Sequence, residues 1–219
     1  INDLYMARGR GECSGFTVPA INVRAMAYDT ARAVFRAAEA GKVGALILEI
    51  ARSEIAYTEQ RPAEYVAVVL AAALREGYTL PLFIQGDHCQ VNQKKYQADP
   101  EAEVGEVKKL IEEEVGAGFY NIDVDTSTLV DLSKTSLTEQ QRVNYERAAE
   151  ITRFIRDREP QGVTVSVGAE IGEVGGHNST VEELHAFMEG YNAEVAAGGG
   201  GAGISKISVQ TGTSHGGVV

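Results

Sequence analysis

Six short apolar runs recur along the chain, each separated from the next by a longer stretch with helix-like patterning, and this alternation most restricts the fold. The runs fall at 16–23, 45–50, 81–87, 118–125, 162–170 and 205–212. Each is rich in Val, Ile, Leu or Phe and bounded by Gly, Pro or polar residues, which predicts strands. Their near-continuous apolarity suits strands covered on both faces, as in parallel sheets. Between them the spacing predicts helices over 29–40, closed by Gly41, and over 61–75. A third helix over 102–117 carries Val104, Val107, Leu110, Ile111 and Val115 on one side. Ser136 with Glu139 makes a capping box for a helix to about 157. Ser179 with Glu182, or Thr180 with Glu183, does the same for 181–189.

Repeated strand–helix units imply right-handed parallel crossovers. Six of them fit either a doubly wound sheet or most of a (β/α)₈ TIM barrel, an α/β fold. No G-x-G-x-x-G follows the first run, which weighs against a dinucleotide-binding sheet. The four glycines at 198–201 read as a surface loop. With 219 residues, the chain reads as one domain over 1–219. It stops at Val219, a few residues after the sixth run, and a six-stranded open barrel would leave raw edges. The expectation is therefore a segment of a longer barrel whose last units lie elsewhere.

The formal charge is −11 and the pI about 4.9, with no Lys/Arg cluster, so a nucleic-acid groove binder is not expected. No apolar run approaches the roughly 18 residues that span a bilayer, so no membrane partner is expected either. An anionic ligand would need backbone amides, helix N-termini or a metal ion. Cys13 and Cys89 lie far apart, form no C-x-x-C, and accompany no secretory signal, which points to a reducing cytoplasm.

Polar residues collect at the C-terminal ends of the predicted strands, where parallel α/β folds place their chemistry. The third run ends in Gly86-Asp87-His88-Cys89, the fourth in Asp123-Val124-Asp125-Thr126-Ser127. The fifth ends in Glu170-Ile171-Gly172-Glu173 and the sixth in Gly212-Thr213-Ser214-His215-Gly216. Singly, each histidine reads as a surface or core residue and each strand-terminal Asp as a helix cap. Together, two histidines on different strands with carboxylates at the same face suit a divalent transition metal.

Over nearly the whole chain from Thr17, these residues resemble the class II, metal-dependent ketose-bisphosphate aldolases, chiefly fructose-bisphosphate aldolase. The resemblance rests on Pro19-Ala20-Ile21-Asn22, Asp87-His88, Asp125-x-Ser127, Glu170-x-Gly172 with Gly175-Gly176, and Gly212-Thr213-Ser214-His215-Gly216. It implies a zinc ion at the top of a (β/α)₈ barrel, with His88 and His215 as ligands. Glu170 matches a carboxylate that binds the metal in an alternate position. Asp125 matches an acid near a second cation site, divalent or monovalent. Asp87 matches the acid/base at the hydroxyl formed or broken in the reaction. Asn22 and Ser214 match the substrate pocket, and Gly216 a segment contacting phosphate. The implied reaction is reversible aldol cleavage of fructose 1,6-bisphosphate, a lyase step of glycolysis, by a cytoplasmic dimer or tetramer.

Departures accompany the match. The family's third zinc histidine, a Gly-Gly-Ser loop and an Asn-x-Asp-Thr segment would lie beyond Val219, so these residues alone are expected to be inactive. Where the family carries an acidic pair in a loop, this chain has His177-Asn178-Ser179-Thr180, leaving Glu182 and Glu183 as nearby alternatives for the proton-abstracting base. Ala51 stands where a serine is common, and Asp123 where an apolar residue is usual. Three other readings compete: a tagatose-bisphosphate or related ketose-phosphate aldolase, a non-catalytic aldolase-like scaffold, and a Schiff-base aldolase using Lys206. Lys206 lies six residues before Gly212, at about 3.3 Å per residue roughly 20 Å from the strand end, and reads as a solvated lysine at the barrel bottom.

Overall fold

The computed structural model describes residues 1–172 and 177–212. Its six strands are all parallel and pair in sequence order, β1 to β6. They are β1 (Ala20–Asn22), β2 (Leu46–Ala51), β3 (Leu82–Gln90), β4 (Asn121–Asp125), β5 (Ser166–Glu170) and β6 (Lys206–Ser208). A doubly wound sheet would reverse its strand order; this one does not, and it curls into part of a (β/α)ₙ barrel. Among the described residues β1 and β6 are not paired with each other.

The helices fall between the strands. Helix α1 (Asn2–Gly9) precedes β1, and α2 (Ala27–Ala40) follows it, with Gly41 at its C-cap. Helices α3 (Arg52–Thr58) and α4 (Pro62–Glu76) join β2 to β3. Helices α5 (Gln93–Ala98) and α6 (Pro100–Ala117) join β3 to β4. A 3₁₀ turn (Ser127–Leu129) and α7 (Leu137–Arg156) join β4 to β5, and α8 (Val181–Ala197) precedes β6. The caps are of the expected kind: Ser136 accepts from the Glu139 amide, and Thr180 forms the reciprocal box with Glu183. Helices α1, α3 and α5 are short and carry no strong periodicity, which is why the sequence pattern does not reveal them.

The strands have two different faces. Leu46, Leu48, Ile50, Ile84, Ile122, Val124, Val165 and Val167 pack outward into the main core with the helices. Alternate positions of the same strands bury Glu49, Gln85, Asn121, Asp123, Asp125, Ser166 and Glu170 on the opposite, concave side. The apolar runs are therefore buried on both faces, as expected; the outer face is hydrocarbon, while the concave face is mainly polar, with Ile47 beside Glu49. The barrel interior is a polar floor, and it leads up to the site.

Candidate functional site

The site is organised by an irregularity in β3. Gly86 pairs with Ile122 and Cys89 with Val124, so Asp87 and His88 together stand opposite Asp123 alone. This is a β-bulge, and His88 occupies its left-handed position with φ 42°. In a regular strand neighbouring side chains point to opposite faces. The bulge cancels that alternation at the end of β3. Asp87 and His88 instead open onto the same cleft of about 640 Å³, shared with Asn22, Arg24, Arg52 and Lys95. A non-glycine residue held in this backbone region is strained, and such strain concentrates at functional sites.

Five of the residues singled out from sequence converge here. His88 Nδ1 stands 3.1 Å from Asp125 Oδ2 and 3.2 Å from Glu170 Oε1. His88 Nε2 lies 3.8 Å from Asp87 Oδ1. Asn22 joins them by donating from Nδ2 to Asp87 Oδ2 at 2.9 Å and to Glu54 Oε2 at 3.1 Å. Asp125 is further fixed by Gln90 Nε2 at 2.6 Å and by the Ser127 hydroxyl at 2.7 Å and amide at 3.1 Å. His215, Ser214 and Gly216, and the Gly175-Gly176 pair, lie outside the described residues.

The proton affinities follow from this crowding. The Asp125 bond, then Asp87 and Glu170, lift His88 to about 10 against the opposing effect of burial. Burial raises Glu170 to about 8, with Asp125 and Asp123 adding to it. Burial also opposes ionisation of Asp125, but hydrogen bonds from His88 and Ser127 outweigh it and hold that carboxyl below its ordinary range. Glu49, deeper in the barrel, is pushed to about 7 by burial and by Asp87.

Several members of this constellation were not apparent from sequence. Glu49, Gln85 and Asn121 form the floor: Gln85 donates to Glu49 Oε2 at 2.5 Å and accepts from Asn121 Nδ2 at 2.6 Å. The alternation Asn121-x-Asp123-x-Asp125 carried the signal, since period two places all three on one face. Lys206 requires a correction. It is not a solvated lysine at the barrel bottom: its ammonium donates to Gln85 Oε1 at 2.5 Å and lies 3.5 Å from Asp123 Oδ1. Counting from Gly212 misled, because β6 ends at Ser208 opposite Glu170, which leaves Lys206 two residues below the strand end. Lys206 pairs with Gly168, which pairs with Asp123, so all three are level. Cys89, by contrast, is buried behind the strand against Glu114, as a small core residue would be.

The donor set suits a divalent cation. His88, Asp125 and Glu170 each bring a ligand atom within 4.8 Å of the others, and Asp87, His88 and Asp123 do the same. One imidazole with surrounding carboxylates matches the nitrogen–oxygen preferences of zinc and related ions. A metal-bound histidine commonly gives its other ring nitrogen to a carboxylate, and His88 has carboxylates near both.

A parallel, curled β/α sheet with a histidine–carboxylate cluster at the C-terminal strand ends defines a barrel-type protein with a metal-suited centre. The family model for class-II fructose-bisphosphate aldolase matches residues 10–218, and the chain belongs to that family. No curated protein matches the sequence. Among solved structures, it is similar to the crystal structure of a probable tagatose 6 phosphate kinase from Sinorhizobium meliloti 1021. The TM-score is 0.62 at 18% identity, a likeness of fold. The match covers 83% of this chain and 45% of that one, so the chain spans less than half of its length.

Proposed function

We propose that this protein catalyses reversible aldol cleavage of a ketose 1,6-bisphosphate, with fructose 1,6-bisphosphate giving dihydroxyacetone phosphate and glyceraldehyde 3-phosphate. The observation that supports it is the bulge presenting Asp87 and His88 side by side, backed by Asp125 and Glu170, in a chain of the aldolase family.

His88, Asp125 and Glu170 would hold the cation, with zinc as the preferred ion and His215 as a further ligand. When bound, a divalent cation supplies Lewis-acid stabilisation for the negative charge that builds beside the substrate carbonyl. The remaining work falls to the chain. Asp87 takes the proton from the C4 hydroxyl in cleavage and returns it in condensation, help worth about 10²–10⁴-fold. Asn22 holds one Asp87 oxygen, leaving Oδ1 on the His88 side for the substrate. Ser214 and Gly216 would contact substrate and its phosphate. The reading carries with it one barrel domain of which residues 1–219 hold about six strand–helix units, a place in glycolysis, a cytoplasmic setting and a homo-oligomer of two or four chains.

The test is Asp87→Asn in the full-length protein, assayed for triose phosphate release alongside bound zinc. Turnover is expected to fall at least 100-fold with metal retained, whereas unchanged turnover removes Asp87 from the mechanism. His88→Ala is expected to lose metal; a normal zinc content refutes it as a ligand. Parallel assays with tagatose 1,6-bisphosphate separate the C4 epimers. Release of no triose phosphate from either sugar by the metal-loaded full-length protein would favour a scaffold.

A further inference from the structure

The concave floor beneath His88 holds more acidity than the proposed reaction uses. Asp123 shares a three-residue group with Asp87 and His88 whose ligand atoms lie within 4.8 Å of one another. Glu49 reaches the same floor through Gln85. Among the described residues, Asn121 Oδ1 is buried there without a hydrogen-bond partner. Lys206 supplies the positive charge at this level, 3.5 Å from Asp123 Oδ1.

The lysine reaches that point through a gap. A Cβ on Gly168 would stand 2.2 Å from Asp123 Oδ1 and 2.5 Å from Lys206 Cε. Any side chain at 168 would occupy the space where the two meet. The missing Cβ, the level register of Asp123, Gly168 and Lys206, and the shared acceptor on Gln85 form one arrangement.

We infer that Lys206 is a built-in cation: its ammonium occupies the lower half of the carboxylate cluster and confines divalent metal to the upper donors, His88, Asp125 and Glu170. It is a positioning residue, acting on metal through Asp123 and Gln85. Removing the ammonium leaves Asp87 and Asp123, whose ligand atoms lie within 4.8 Å of each other, with His88 as the one positive group of their cluster. A hard divalent ion with a taste for carboxylate oxygen is the chemical replacement. Only the expected metal content of the unaltered protein rests on the metal-centre reading above; the effect of Lys206 does not.

The experiment is a Mn²⁺ titration followed by the electron paramagnetic resonance of free ion, on the unaltered protein and on Lys206→Met. The substitution is expected to add one Mn²⁺ per chain. No change in stoichiometry or affinity overturns the inference. If the unaltered protein takes up no Mn²⁺ or zinc, the metal-centre reading fails, while an ion gained by Lys206→Met still supports the role of the lysine. The double variant Lys206→Met/Asp123→Asn removes both charges and is expected to fold and to gain no ion. Should Lys206→Met fail to fold while the double variant folds, the lysine is shown to be the counter-charge of Asp123. Failure of both overturns the inference, since the lysine then acts through its bulk. Capture of Lys206 by substrate and borohydride overturns it too, because a nucleophilic amine is not a fixed counter-ion.

Discussion

His88 Nδ1 and Asp125 Oδ2 meet at 3.1 Å although 37 residues separate them in the chain. In the absence of metal this contact, with Asp87 and Glu170 nearby, keeps the imidazole protonated up to about 10. Metal ligands must shed their protons to bind. Uptake of zinc near neutral pH is therefore expected to release protons: one from His88, and a further fraction from Glu170, whose carboxyl is raised to about 8 by burial. Affinity should fall as pH falls. Calorimetry in two buffers of different ionisation enthalpy counts the protons; a release of zero would mean that other residues bind the ion.

Asn22 spans two carboxylates, Asp87 and Glu54. Its loss frees Asp87 to rotate and leaves the charge less well held. A hydrogen bond to a charged group contributes about 1.5–3 kcal/mol. Asn22→Ala is thus expected to lower kcat by about 10- to 100-fold without loss of metal. A steady-state assay with parallel zinc analysis checks it, and a rise in KM alone would return Asn22 to the substrate-pocket role that the family resemblance implies.

Glu114 is fully buried on α6, with Oε1 unpartnered and Oε2 accepting from Cys89 Sγ at 3.2 Å. Burial raises its carboxyl from 4.5 to about 8. The native state then keeps a proton that the unfolded chain gives up. The neutral carboxyl contributes its full stability below about 4.5, and that contribution is lost as pH rises toward about 8. Glu114→Gln, which stays neutral, should gain on the parent across that window. Urea unfolding at pH 5 and pH 8 measures the gap; a constant difference would show that Glu114 does not titrate there.

Gly168 faces the barrel interior between Asp123 and Lys206, where a methyl group has no room. Gly168→Ala is expected to destabilise the fold by about 1–3 kcal/mol, the usual cost of overpacking. A shift of the denaturation midpoint at unchanged slope would show this. No shift would mean that the pair moves apart easily.

The sequence by itself determined the alternating β/α order, the five long helices with the caps at Gly41, Ser136 and Thr180, and the candidate residues Asn22, Asp87, His88, Asp125 and Glu170. These are local properties: hydrophobic period, turn chemistry and the C-terminal placement of polar residues are written in consecutive letters. What the tertiary structure decided is what depends on register between strands. The bulge that turns Asp87 and His88 toward one cleft arises from pairing with β4. The placement of Lys206 beside Asp123 comes from the level register across β4, β5 and β6, with Gly168 between them. Pairing register couples residues about 80 positions apart, and it is set by how whole strands pack, which no single stretch of sequence encodes.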